Sequence, residues 1–215
     1  MWSKGGSLAF LVLCLCLVAG TALESADLAG HYYLQNVREV GSELLLKPDG
    51  GFEWMLAYGA ADYYAKGTWR VQDGAVILNT TPLKDDRPFR LIRSSPAKAA
   101  DIRVHVVAPD GRGIPNIDVM LATDEGQREG RTDSGGIAVF PKTGAARGAA
   151  FRVRVYELQT KPYDLNPAHD DFTFEINGDA ITQMPFKDER LTIEGGVLVM
   201  RHRGADREMK YVRGQ

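Results

Sequence analysis

The chain reads as all-β: a small antiparallel barrel, split in sequence and completed by its C-terminal strands, with a β-sandwich inserted between the two parts. Three observations predict this. Helical periodicity is nearly absent, and short alternating apolar–polar runs bounded by Gly, Pro, Asp and Asn recur along the chain. Turn-forming pairs such as Asp73-Gly74 sit between such runs, as two-residue hairpins require. A three-strand pattern occurs twice, as WRVQDGAVIL (69–78) followed by FRLIR (89–93), and as LTIEGGVLVM (191–200) followed by MKYVR (209–213).

Residues 1–22 stand apart. Lys4 precedes SLAFLVLCLCLVAG, and the small residues Gly20 and Ala22 stand third and first before a cut after Ala22. This is the layout of a secretory signal peptide, which makes the mature protein periplasmic or secreted. The apolar run falls short of the about 20 residues that a transmembrane helix needs, so no transmembrane span is expected in the mature chain. Removing 1–22 removes Cys14 and Cys16, both cysteines of the chain. The mature protein then holds itself by its core and not by disulfides. It keeps 25 basic against 28 acidic residues, a balance with no electrostatic footprint for nucleic acid.

From residue 28 the strands of a meander follow one another. Ser42–Lys47 meets Phe52–Tyr58 across PDGG, and Phe52, Trp54, Leu56 and Tyr58 share one face because side chains alternate along a strand. Thr68–Gln72 meets Ala75–Thr80 across Asp73-Gly74, and Phe89–Arg93 adds a further strand. SSPAKAAD (94–101) has the composition of a linker. Beyond it Ile102, Val104 and Val106 alternate with Arg103 and His105, and strands follow at 117–123, 127–131, 137–140, 151–155 and 172–176, the spacing of a sandwich over 101–178. The second copy of the three-strand pattern lies in 183–215. Neither flank alone has enough strands for a stable core. The expected arrangement is therefore a barrel built from 23–95 with 183–215, closed so that no edge is left open.

The segment 104–140, VHVVAPDGRGIPNIDVMLATDEGQREGRTDSGGIAVF, resembles a transthyretin-like or carboxypeptidase-regulatory-like β-sandwich through Asp110, Gly113, Pro115, Gly130, Thr132, Asp133 and Gly136. That resemblance implies a sandwich fold and a commonly non-catalytic role in adhesion, assembly or support of a neighbouring domain. GHYYL (30–34), LLLKPDGGFEW (44–54) and GTWRV (67–71) resemble a lipocalin-like small barrel of bacterial envelope proteins, which implies no particular ligand.

TDSGG (132–136) is one letter from the nucleophile signature of trypsin-like proteases. Thr132 replaces the leading glycine, Ile137 stands in place of proline, and no histidine arrives in a matching motif. As a bend it needs only that Asp133 accept backbone hydrogen bonds and that Gly135 or Gly136 take a positive φ. The carboxylate pairs Asp85-Asp86, Asp124-Glu125 and Asp188-Glu189 read as solvated turns, since glycosidic chemistry needs two carboxyls facing each other across a cleft. The basic stretch 201–213 reads as an outward strand face, with a phosphate or lipid-headgroup patch as the alternative. Asp164, Asp170 and Asp171 lie in or beside the loop PYDLNPAHDD, and such oxygen-rich loops can hold calcium.

Aromatics crowd the first meander. Trp54, Tyr58, Tyr63, Tyr64 and Trp69 either pack a core or line a ligand site at the barrel mouth, with YGAADYY (58–64) as the rim loop. No cofactor is expected. The expected function is an exported, non-enzymatic binding or scaffolding protein of the cell envelope, acting through a sandwich surface on a protein partner. A carrier of a small apolar or amphipathic ligand is the alternative, and a periplasmic hydrolase a more distant one.

Overall fold

The computed structural model describes residues 25–96, 100–201 and 208–214. The segment 1–22, expected from sequence to be a signal peptide, and part of the basic stretch, residues 202–207, lie outside the described residues. A short helix α1 (Ser25–Leu28) leads into β1 (Gly30–Gln35), β2 (Val40–Leu46), β3 (Gly51–Tyr58), β4 (Ala61–Gln72) and β5 (Ala75–Thr80). Then come β6 (Phe89–Ser95), β7 (Asp101–Val107), β8 (Asp118–Thr123), β9 (Gly126–Arg131), β10 (Ile137–Pro141) and β11 (Ala146–Val153). A 3-10 turn (Arg154–Tyr156) precedes the short β12 (Leu158–Gln159) and β13 (Tyr163–Asp164), and then β14 (Asp171–Ile176). Helix α2 (Gly178–Thr182) leads to β15 (Glu189–Glu194), β16 (Val197–Met200) and β17 (Met209–Arg213).

Eight strands close into a barrel in the order β1-β17-β16-β15-β5-β4-β3-β2. The split barrel expected from sequence is therefore the architecture. Its first five strands and its last three are joined by β5 against β15, with Leu191 opposite Val76, and by β1 against β17, with Leu34 opposite Tyr211. Alternation puts Tyr32, Leu44, Leu46, Phe52, Trp54 and Trp69 into one core with Leu191, Leu198 and Tyr211 from the returning strands. Helix α1 covers one end: Leu28 enters the core, and the Tyr32 hydroxyl donates to the Leu28 carbonyl at 2.8 Å.

The insert is a two-sheet sandwich. One sheet runs β10-β7-β14-β6 and the other β12-β11-β8-β9, with β13 pairing β11. Phe89, Phe151, Phe172 and Phe174 fill the space between them, and the Phe89 and Phe151 rings stack with centroids 4.3 Å apart. Two sequence expectations change here. The sequence pattern places Phe89–Arg93 in the barrel, but β6 pairs with β14, because the buried Phe89 ring completes the sandwich core. The linker expected at 94–101 accordingly falls between β6 and β7, both strands of the sandwich, and residues 97–99 lie outside the described residues. The third strand of the repeated pattern thus goes to the sandwich in its first copy and to the barrel in its second.

The modules are joined by 81–88 and 177–188, which run side by side. Thr80 N donates to the Phe186 carbonyl at 2.9 Å, Thr80 Oγ1 to the Met184 carbonyl at 2.8 Å, and Phe186 N to Thr80 Oγ1 at 3.0 Å. The returning segment also fastens both cores. Ile176 and Ile181 pack against the sandwich core, while Met184 and Phe186 pack into that of the barrel.

TDSGG is a bend. Asp133 Oδ1 accepts from Gly135 N at 2.8 Å and Ile137 N at 3.0 Å, and Gly136 has φ +78°. Thr132 is buried, its hydroxyl bonding the Ile114 carbonyl at 2.8 Å and accepting from Ile117 N at 2.9 Å. The bend presses on Gly113, where an added Cβ would stand 1.9 Å from the Gly135 carbonyl oxygen. Gly113→Ala therefore forces backbone apart, and denaturant unfolding should show a loss of about 1–3 kcal/mol with fluorescence of the barrel tryptophans unchanged in the native state.

Candidate binding cleft

The five aromatics singled out from sequence do not converge on one site. Trp54 and Trp69 are buried in the barrel core, and each indole N–H is satisfied there: Trp54 Nε1 by the Tyr211 hydroxyl at 2.8 Å, Trp69 Nε1 by the Lys47 carbonyl at 2.9 Å. Tyr58 is exposed at the end of β3. Tyr63 meets the sandwich, edge-on to Tyr156 with ring centroids 5.5 Å apart. Tyr64 bonds Asp179 of α2, and its backbone carbonyl accepts from Met184 N at 2.8 Å. The expected rim loop is absent: Tyr58 and Ala61 flank a two-residue turn, and β4 runs from Ala61 because Ala61 and Ala65 continue the inward alternation.

Tyr211 is the polar centre of the barrel. Trp54 Nε1 donates to its oxygen, Tyr211 donates to Ser42 Oγ at 2.8 Å, and Ser42 donates to the Met55 carbonyl at 2.6 Å. Every proton in that chain has a place, which is the condition for a buried network to stabilise. Tyr211→Phe strands the indole N–H and the serine lone pair, at a cost of about 1–3 kcal/mol read by denaturant unfolding. Burial pushes the Tyr211 pKa up, against the pull of the Ser42 and Trp54 hydrogen bonds. Its contribution is thus full below the ordinary tyrosine value of about 10 and lost as pH rises through the higher folded value. The melting temperature should fall as pH rises above about 10, and less steeply in Tyr211→Phe.

The calcium expectation fails on geometry. Asp170 is buried against Lys142 Nζ at 2.6 Å, Asp171 lies 3.4 Å from both Arg93 Nη2 and His105 Nε2, and Asp164 is exposed on β13. No group of three acidic, His or Cys side chains placed to hold a metal occurs among the described residues. In each sequence pair of carboxylates the first member is engaged by an arginine. Asp85 is held at a pKa of about 2 by the Arg87 side chain, Asp124 pairs with Arg147, and Asp188 bonds Asn79 and Arg70. In the basic stretch, Arg201 pairs with Glu194 and Glu208. Sequence reasoning missed one nucleophile–base contact, Ser94 Oγ to His169 Nδ1 at 2.5 Å, between residues 75 apart in the chain. Asn166 Nδ2 reaches His169 Nε2 at 3.5 Å, too long to orient the ring firmly.

Two hollows flank α2. One hollow of about 630 Å³ lies between the two connecting segments, with Leu83, Pro185 and Phe186 in its wall. The other, about 440 Å³, opens between α2 and the end of the sandwich, and Ile114, Ile117, Val153, Val155, Tyr156 and Ile181 make it largely apolar. Val155 stays 44% exposed there. Two arginines complete the wall. Arg131 Nε and Arg154 Nε donate to the two oxygens of Asp118, at 2.7 and 2.5 Å. Burial alone would raise the Asp118 pKa, but the hydrogen bonds from Arg154 and Arg131 outweigh it and hold the carboxyl below its ordinary value. The sequence analysis missed this site; its one local trace is a carboxylate, Asp118, within the apolar run Ile117–Leu121. A third hollow, about 400 Å³, opens on the barrel wall, where two of the predicted aromatics, Trp54 and Tyr64, line it together and His31 Nε2 pairs with Glu43 at 3.0 Å.

Comparisons with family models, with curated proteins and with solved structures give no match.

Proposed function

We propose that the chain is an exported, non-enzymatic binding or scaffolding protein of the cell envelope, and that it recognises its partner at the end of the sandwich facing α2. The observation that supports this reading most is the α2 cleft itself: a concave, largely apolar hollow at a module junction, with two charged groups in its wall. A carrier role inside the barrel is the weaker reading, since Trp54, Trp69, Phe186 and Tyr211 already pack the interior. The hydrolase reading has one contact to stand on, Ser94 with His169. Neither residue lines any of the hollows described above.

The test is site-specific photocrosslinking in the native host. A benzophenone side chain at Val155 should yield a discrete adduct, and one at the exposed Tyr58 should not. Adducts from Tyr58 alone would move the recognition surface to the barrel end and sink the proposal. A fluorophosphonate that labels Ser94 in the folded protein would overturn its non-enzymatic part.

A further inference from the structure

We propose that the α2 cleft takes a small amphiphile with a single anionic head, the head on Arg131 and Arg154 and the apolar body along Val155, Tyr156 and Ile181. The inference rests on the reading of this cleft as the recognition site.

Charge comes first. Two guanidinium groups share one carboxylate, so the Asp118–Arg131–Arg154 cluster carries one net positive charge at the wall of an apolar hollow. The low pKa of Asp118 keeps the carboxylate ionised and both arginines anchored. Each arginine is anchored by Nε, and the other guanidinium nitrogens make no further bond among the described residues. The Nη1/Nη2 end of each fork is left for a ligand. Both side chains remain accessible, 44% exposed for Arg131 and 63% for Arg154. Carboxylates and phosphate monoesters match that fork with paired, charge-assisted hydrogen bonds; a neutral sugar head accepts only weaker, uncharged ones, and a quaternary ammonium head accepts none.

Preorganisation comes second. Asp118 is buried at the start of β8 and fixes both arginines before any ligand arrives, so little side-chain freedom remains to be lost on binding. The apolar side is equally prepared. Val155 is held in the 3-10 turn, exposed next to Tyr156, opposite the Ile181 wall supplied by α2. At about 440 Å³ the hollow lies in the range that small-molecule sites occupy.

The experiment titrates the purified mature chain with dodecanoate, dodecyl phosphate, dodecyl maltoside and dodecyltrimethylammonium below their micellar concentrations, by calorimetry and thermal shift. The two anionic probes should bind saturably and raise the melting temperature. The neutral and cationic probes should bind at least about tenfold more weakly. The better of the two anions tells a carboxylate head from a phosphate head. Arg154→Lys keeps a charge on Asp118 but removes the fork, and should weaken anion binding about tenfold with the ligand-free melting temperature held. Val155→Asp, at an exposed position, should abolish it. Equal binding of dodecyl maltoside, or wild-type affinity in Arg154→Lys, overturns the anionic-head proposal while leaving the cleft as recognition site. Binding by none of the four probes overturns it too, and a protein adduct from Val155 would then show that the cleft serves a macromolecular partner.

Discussion

Replacing Phe186 by alanine should lower the stability of the barrel by about 3–5 kcal/mol, the cost of emptying an aromatic site in a packed core. The ring is buried in the barrel, edge-on to Trp54 with centroids 5.1 Å apart and 6.2 Å from Phe52. It also belongs to the segment that returns from the sandwich, so the same deletion loosens the joint. The two effects separate cleanly. Residues 23–215 contain two tryptophans, Trp54 and Trp69; both lie in the barrel, and the sandwich has none. Tryptophan emission therefore reports the barrel alone, and far-ultraviolet circular dichroism reports both modules. In the wild type the two signals should change together; in Phe186→Ala the emission should change first. Val139→Ala, at a site 53% exposed on β10, should stay within about 0.5 kcal/mol of wild type. Coincident transitions in Phe186→Ala would show that the coupling of the modules does not depend on this ring.

A chain ending at residue 188 should lose the barrel altogether. It keeps Phe186 but lacks β15, β16 and β17, three of the eight strands. β1 and β5 then become open edges, and Tyr211 leaves Trp54 Nε1 and Ser42 without their partner. Its tryptophan emission should be that of solvent-exposed indoles, with ellipticity from the sandwich retained. Native emission from the shortened chain would mean that residues 25–80 hold their own core and that closure contributes little.

Much of this architecture is legible in the sequence because alternation records which face of a strand is buried. Phe52 and Trp54 point inward as the pattern requires, and the two Gly-containing hairpins at 73–74 and 195–196 form where their turn residues stand. Alternation does not record which sheet receives a strand. FRLIR carries the same pattern whether it joins the barrel or the sandwich, and only the fit of Phe89 against Phe151 decides. The cleft was hidden for a related reason. Asp118, Arg131 and Arg154 are separated by 13 and 36 residues, and a local reading sees a strand start, a strand end and an ordinary outward arginine. The aromatic crowding was visible, but side chains that fill a core and side chains that line a cavity have the same composition.

The insertion between β5 and β15 also orders events in time. As the chain is made from its amino end, β5 must wait on the order of a hundred residues for its partner β15, while every pairing of the sandwich lies within the insert. The sandwich has the shorter search and matures first. Until the last three strands arrive, the early meander is an open sheet with two sticky rims and a half-covered aromatic face. That interval, and not the finished molecule, is where this protein is most exposed to self-association.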